Sequence, residues 1–174
     1  MKRNYFWSLS MFLLLFMVGC KKEEAENNAN SSSNNTNQTP SSNIDEAKIL
    51  QLVNALRQTG CLCGTAEMPP VAPVVWNNLL ENASRVHSQE MSDSNYFSHY
   101  SLDGRAPWDR ASEAGYSWTT IGENIALGQP TEEAVIQAWK NSPGHCSNMM
   151  NGAFQDMAVA KVGSYWTQLF GRQP

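Results

Sequence analysis

The chain has 174 residues, 16 of them acidic and 12 basic, for a formal charge of −4 at neutral pH. No basic run offsets that balance, which argues against nucleic acid as a partner and against adhesion to anionic lipid through a basic surface. The length suits one globular domain beside segments that do not fold.

Residues 1–19 read as a leader that is removed. Lys2 and Arg3 open it, an apolar run from Tyr5 to Val18 follows, and Gly19 precedes Cys20. That run is shorter than the roughly 20 residues a membrane-spanning helix needs, and its order of charge, apolar stretch and small residue is that of a secretory signal. Gly19-Cys20 resembles the cleavage site of bacterial lipoproteins. The resemblance implies lipid on Cys20 and an extracytoplasmic place, tethered to a membrane, for all that follows. Losing the leader removes two basic residues and no acid, so the charge moves from −4 to −6.

Residues 20–43 hold the anchor cysteine and a stretch of Asn, Ser, Thr, Gln and Glu with almost nothing to bury. Such a segment stays disordered and serves as reach. Lys22-Glu23-Glu24 resembles a surface-export signal of some Gram-negative lipoproteins; it also reads as a solvated charge cluster.

From residue 44 to 174 the chain reads as the folded head. Ile44, Ala47, Ile49, Leu50, Val53 and Leu56 recur at helical spacing. Asn43 and Glu46 are placed as a cap and its reciprocal partner, and Gly60 as a stop. A loop dense in Cys, Gly and Pro runs to Pro73. Asn77 caps a second helix with Leu79, Leu80, Ala83, Val86, His87 and Met91 on its inward stripe, so His87 is expected as a satisfied core histidine.

Residues 95–106 are turn-rich. Pro107 opens a short helix that stops at Gly115. Thr131 caps another, bearing Ala134, Val135, Ala138 and Trp139, with Glu132 and Glu133 in its first turn; Pro143-Gly144 is expected to end it. Met157 to Val162 and Tyr165 to Phe170 read as strands joined by a two-residue turn at Gly163-Ser164. Helices followed by a hairpin indicate an α+β layered fold. Trp76, Trp108, Trp139 and Trp166 stand beside element ends and are expected in the core; an exposed aromatic cluster would instead mark a ligand groove.

Several phrases occur together in order: Trp76-Asn77, His87-Ser88, Asn95-Tyr96-Phe97-Ser98-His99, Pro107-Trp108-Asp109-Arg110, Gly122-Glu123-Asn124, Ser142-Pro143-Gly144-His145 and Trp166-Thr167-Gln168. In that order they resemble the CAP superfamily (cysteine-rich secretory proteins, antigen 5, pathogenesis-related 1), in its bacterial SCP-like branch, from about Glu46 to Gly171. The resemblance implies an α-β-α sandwich, a small antiparallel sheet between helical layers. It further implies a central cleft that in many members is lined by two histidines and two glutamates. His99 matches the first histidine and Glu123 the glutamate of the Gly-Glu-Asn phrase. Tyr165 stands where the second histidine would be, and the Ser-Pro-Gly-His phrase ending at His145 replaces the second glutamate. A trio of His99, Glu123 and His145 is what remains.

Two imidazoles and a carboxylate suit zinc with a position left open for water. Side chains hydrogen-bonded across a cleft to lock the layers would use the same residue types. No Gly-x-Ser-x-Gly or His-Glu-x-x-His phrase is present. Ser98 beside His99, Ser88 beside His87 and Ser142 near His145 are candidate nucleophiles on paper, but adjacency in sequence says little about a nucleophile and its base; Glu123 as base for a metal-bound water is the one hydrolytic mechanism the residues offer.

Cys61, Cys63 and Cys146 remain for an oxidising location. Similar bacterial members carry a Cys-Gly phrase after the first helix. Cys63-Gly64 matches it, so the resemblance implies a Cys63–Cys146 bond with Cys61 left over; Cys61–Cys146 is the competing pairing. The family is best described as secreted binding modules. The functional expectation is a lipid-anchored protein, monomeric in its head, that binds lipid, a small hydrophobic ligand or an envelope or host partner. A metal-dependent hydrolase and a structural or adhesive surface protein are the other readings, and no cofactor is required.

Overall fold

The computed structural model describes residues 43–174. The leader over 1–19, the Cys20 anchor and the linker behind it lie outside the described residues.

Helix α1 (Glu46–Thr59) is capped by the Asp45 carboxylate, which accepts from the Lys48 N–H; Asn43, the expected cap, lies outside the helix. Its inward face holds Ile49 and Val53, and Gly60, at φ 72°, ends it. The expected loop after it contains a small hairpin, β1 (Cys61–Cys63) with β2 (Ala66–Met68). Three-residue strands carry no periodicity that sequence can reveal. Strand β3 (Val75–Trp76) leads into α2 (Asn78–Ser94), where Asn77 Oδ1 accepts from the Leu79 and Leu80 N–H groups. Then come α3 (Pro107–Glu113), β4 (Thr120–Leu127) and α4 (Glu132–Asn141), the last capped by Thr131.

Pro143 does not merely end α4. It opens α5 (Pro143–Met149), the helix that carries His145 and Cys146. Proline tolerates the first helical position because its missing N–H has no partner there. Strands β5 (Asp156–Val162) and β6 (Tyr165–Arg172) form the closing hairpin.

The main sheet has the order β3-β5-β6-β4. It is antiparallel except that the two-residue β3 runs parallel to β5. Strand β4, hidden from the sequence reading, pairs with β6 along its whole length, Thr120 opposite Arg172 through Leu127 opposite Tyr165.

Alternation along the strands builds two cores. Met157, Val159, Trp166 and Phe170 face Ile49, Val53, Val135 and Trp139 of α1 and α4. Ala158 and Leu169 face Leu80 and Ala83 of α2, Ala111 of α3, and Tyr116. The sheet is thus covered on both faces, the layered α+β architecture expected. Arg57 of α1, fully buried, donates to the carbonyls of Ala72, Met149, Asn151 and Phe154 at 2.7–3.2 Å. It ties the first helix to the end of α5 through hydrogen bonds alone.

Candidate functional site

Helix α3 and strand β4 set the centre of the site. Asp109 Oδ2 accepts from the Ala106 N–H at 2.9 Å and closes the first turn of α3. The buried face of this helix is Pro107, Arg110 and Ala111. Arg110 Nη2 donates to Glu123 Oε2 at 2.7 Å, with side chains 0% and 2% exposed. The same guanidinium donates to the carbonyls of His99 and Arg105 and to Ser101 Oγ at 3.0–3.1 Å. One buried arginine therefore folds the segment 99–105 over β4.

The other oxygen of Glu123 lies 2.8 Å from His99 Nδ1. A carboxylate only accepts, so Nδ1 carries the proton and Nε2 is the ring's free nitrogen. Glu123 is thus held by two donors and fixes the tautomer of a half-exposed imidazole. Arg105 braces the segment further, pairing with Asp103 at 2.7 Å, with Glu113 at 2.8 Å and with Glu90.

His145 approaches from the other layer on α5. Its imidazole is partly buried, and burial, then the charge of His99, holds its pKa below the ordinary value. Its carbonyl accepts from Asn124 Nδ2 at 3.1 Å, while Asn148 Nδ2 donates to Glu123 O at 3.0 Å and Asn124 Oδ1 at 2.9 Å. The Gly-Glu-Asn phrase acquires a physical meaning here. A Cβ on Gly122 would come within 2.6 Å of the Phe154 ring. Glu123 then points to α3, and Asn124 points to α5.

Beside the polar centre lies a cavity of about 270 Å³ lined by His99, Tyr100, Pro107, Trp108, Ile121, Gly122 and Glu123. Tyr100 is 54% exposed and Trp108 44%. The expectation that Trp108 joins the core is corrected: it follows Pro107 on the outward side of α3, whereas Trp139 and Trp166 are buried as expected. Arg110 and this exposed aromatic pair are the site residues that sequence reasoning missed. The sole signal for Arg110 was the Pro-Trp-Asp-Arg phrase.

Other candidates separate from the site. His87 is fully buried, its Nε2 donating to Ser98 O at 2.8 Å, and burial lowers its pKa. Ser88 Oγ donates to Thr167 Oγ1 at 2.9 Å, Ser98 Oγ accepts from the Tyr100 N–H, and Ser142 is the cap residue of α5. None of the three hydroxyls is hydrogen-bonded to a histidine ring among the described residues. Tyr165 begins β6, and its hydroxyl donates to Asn95 Oδ1 at 3.1 Å.

The donor set suits a divalent cation such as zinc in a limited way. His99 Nε2 and His145 are free imidazole donors, and Glu123 behind His99 is the usual supporting carboxylate. Both Glu123 oxygens are engaged, by His99 and Arg110, so in such a site it would be an outer partner and not a third ligand. Among the described residues, the one group of three such ligand atoms within 4.8 Å of one another is Cys61, Cys63 and Cys146. Of these, Cys63 and Cys146 are joined as a disulfide and Cys61 is free.

The chain is 41% identical over 140 residues to the uncharacterized protein YkwD of Bacillus subtilis, covering 79% of this chain and 51% of that protein. It is 31% identical over 125 residues to the uncharacterized membrane protein YlbC of the same organism, covering 72% and 34%. The chain thus spans about half and about a third of the length of these two relatives. Among solved structures, an extracellular protein containing an SCP domain from Bacillus anthracis superposes with a TM-score of 0.66 at 29% identity, covering 74% of this chain and 40% of that one. An outer surface protein of Borrelia burgdorferi shares the fold at 19% identity, with a TM-score of 0.59 and coverage of 74% and 89%. The model of the cysteine-rich secretory protein family, CAP, matches residues 50–170. With that match over most of its length, the chain belongs to the CAP family.

Proposed function

We propose that this protein is an extracytoplasmic binding module, lipid-anchored through Cys20, whose cleft beside His99 takes a single-chain amphiphile. The observation that carries the reading is the pairing of an exposed aromatic wall, Tyr100 and Trp108, with a fixed polar end, His99 held by Glu123. Apolar pockets with a few placed polar groups are the usual form of small-molecule sites. The volume of about 270 Å³ lies near the low end for such sites, which favours one acyl chain or a small apolar body over a two-chain lipid. Gly19-Cys20 and the extracellular description of the Bacillus anthracis protein support the location.

In this reading His99 Nε2 and His145 meet the polar head of the ligand, Trp108 and Tyr100 cover its apolar body, and Arg110 with Glu123 keeps the histidine in place. A divalent cation, if bound, would be held by the two imidazoles and would supply an electrophilic contact to the same head group. The hydrolase reading would require Glu123 to release Arg110 or His99 before acting as a base.

Tryptophan fluorescence of the full chain titrated with dodecanoate and with lysophosphatidylcholine tests the proposal. A saturable change, weakened about five- to thirtyfold in Trp108→Ala and unaltered by chelator, is expected, because one aromatic anchor is worth about 1–2 kcal/mol. No saturable change with either probe, or the same affinity in the variant, would overturn it.

A further inference from the structure

A third sulfur lies beside the bond joining Cys63 on β1 to Cys146 on α5. Cys61 carries a free thiol, its Sγ 3.7 Å from Cys146 Sγ and 4.0 Å from Cys63 Sγ. Alternation along β1 puts residues 61 and 63 on one face, and the hairpin register sets Cys61 opposite Met68 and Cys63 opposite Ala66. Both sulfurs of the bond are buried among Met150, Leu56 and Val71, whereas Cys61 is half-buried and opens on a groove of about 770 Å³ with Leu62, Glu67, Met68 and Pro69. Among the described residues, the hairpin that presents the two cysteines pairs with no other strand, so no sheet fixes its position.

We propose that Cys61, Cys63 and Cys146 form a thiol–disulfide exchange centre in which the bond to Cys146 passes between Cys63 and Cys61. The Cys61 thiol gives its proton to water, and the thiolate attacks Cys146 Sγ. The Cys61–Cys146 bond forms as the Cys63–Cys146 bond breaks. The electron pair leaves on the Cys63 sulfur, which takes a proton from water. One disulfide and one thiol stand on each side, so the step needs neither oxidant nor reductant.

Cys146 is the nearer target. The similar distances to its two neighbours put the Cys61 sulfur beside the bond and not on its axis, so attack requires the Cys61 side chain to rotate as β1 shifts. Successive same-face residues of a strand are about 6.6 Å apart, of the order of the Cα separation a disulfide bridges, about 4.4–6.8 Å. Cys63 and Cys146 are bridged with their Cα atoms 5.4 Å apart, and the Cys61 sulfur already lies 3.7 Å from that of Cys146, so the exchange calls for side-chain rotation and a small shift of the hairpin. The exchange moves the tether of α5, the helix bearing His145, by two residues along β1. It also moves the free thiol from the open groove to a buried position. Unassisted rearrangement of this kind takes minutes to hours.

The full, oxidised chain is incubated at about pH 8.5, where thiolate is available. It is then denatured in acid to halt exchange and alkylated with N-ethylmaleimide. Fragment spectra locate the label at residue 61 or 63, with Cys20 read on its own peptide. The expected result is label on Cys63 at about 0.1–10% of that on Cys61, the range of an accessible minor state, independent of protein concentration and lost in Cys61→Ser. Absence of Cys63 label after a day overturns the proposal, as does a Cys63 share that rises with protein concentration, since that reports attack by another molecule. Cys63→Ser gives a second readout: a Cys61–Cys146 bond is expected, and two free thiols at those positions in folded protein would overturn it.

Discussion

Arg110 and Glu123 meet inside the protein, Nη2 to Oε2 at 2.7 Å, with almost none of either side chain exposed. The pair joins α3 to β4 and leaves Glu123 one oxygen for His99. Buried charge is tolerated only when paired and hydrogen-bonded. Removing one partner of such a pair costs about 3–5 kcal/mol. Arg110→Met should therefore destabilise the protein by about that amount in urea titration. Glu123→Gln should cost less, because an amide oxygen still accepts from Arg110. It should also free the His99 ring to flip, which nitrogen-15 spectra of the imidazole would register.

Arg57 presents a different balance, a buried guanidinium with four carbonyl acceptors from two loops and the end of α5. Burial lowers its pKa. Each buried acceptor left unsatisfied costs about 1–3 kcal/mol. Arg57→Met is expected to lose at least about 3 kcal/mol, and Arg57→Lys, which keeps the charge without the planar fork, most of that. Denaturant midpoints of the two variants check this.

The Cys63–Cys146 bond closes a loop across 83 positions. In the chain-entropy treatment such a loop contributes about 4–5 kcal/mol. A Cys63→Ser, Cys61→Ser double variant, which denies Cys146 both partners, should melt well below wild type. Melting scans with and without reductant measure the effect, and the double variant should be insensitive to reductant.

Acid should weaken the fold beginning just below neutrality. Burial, opposed by the Glu123 charge and aided by Arg110, keeps His87 below the ordinary imidazole value. Burial and the His99 charge do the same for His145. Unfolded, both take up a proton near about pH 6.5. The unfolded chain then binds more protons in the window below that value, so stability is full above it and falls as pH drops through it. The melting temperature should be level above about pH 7 and decline below about 6.5, and His145→Gln should flatten the decline.

Much of the fold was legible in the sequence because its helices obey strong local rules. Asn77, Pro107 and Thr131 announce helix starts, and Gly163-Ser164 the closing turn. Strand β4 escaped because Thr120–Leu127 is buried from both sides near its end, so no polar alternation marks it. The β1 hairpin is too short to leave a pattern. His99 and Glu123 could be placed together through family resemblance, whereas spacing alone is silent on residues 24 positions apart. Arg110 and the exposed Trp108 depend on which way a seven-residue helix is rolled. That roll is set by packing against α2 and β4, which the helix's own seven residues do not reveal.

The most direct test of the cleft as a binding site is a nuclear magnetic resonance titration of the folded chain with dodecanoate, following the Trp108 indole and the His99 and His145 imidazoles. The expected result is that all three signals shift along one saturation curve while the buried Trp139 and Trp166 stay still. Unchanged signals at Trp108 and His99 at saturating dodecanoate would contradict it.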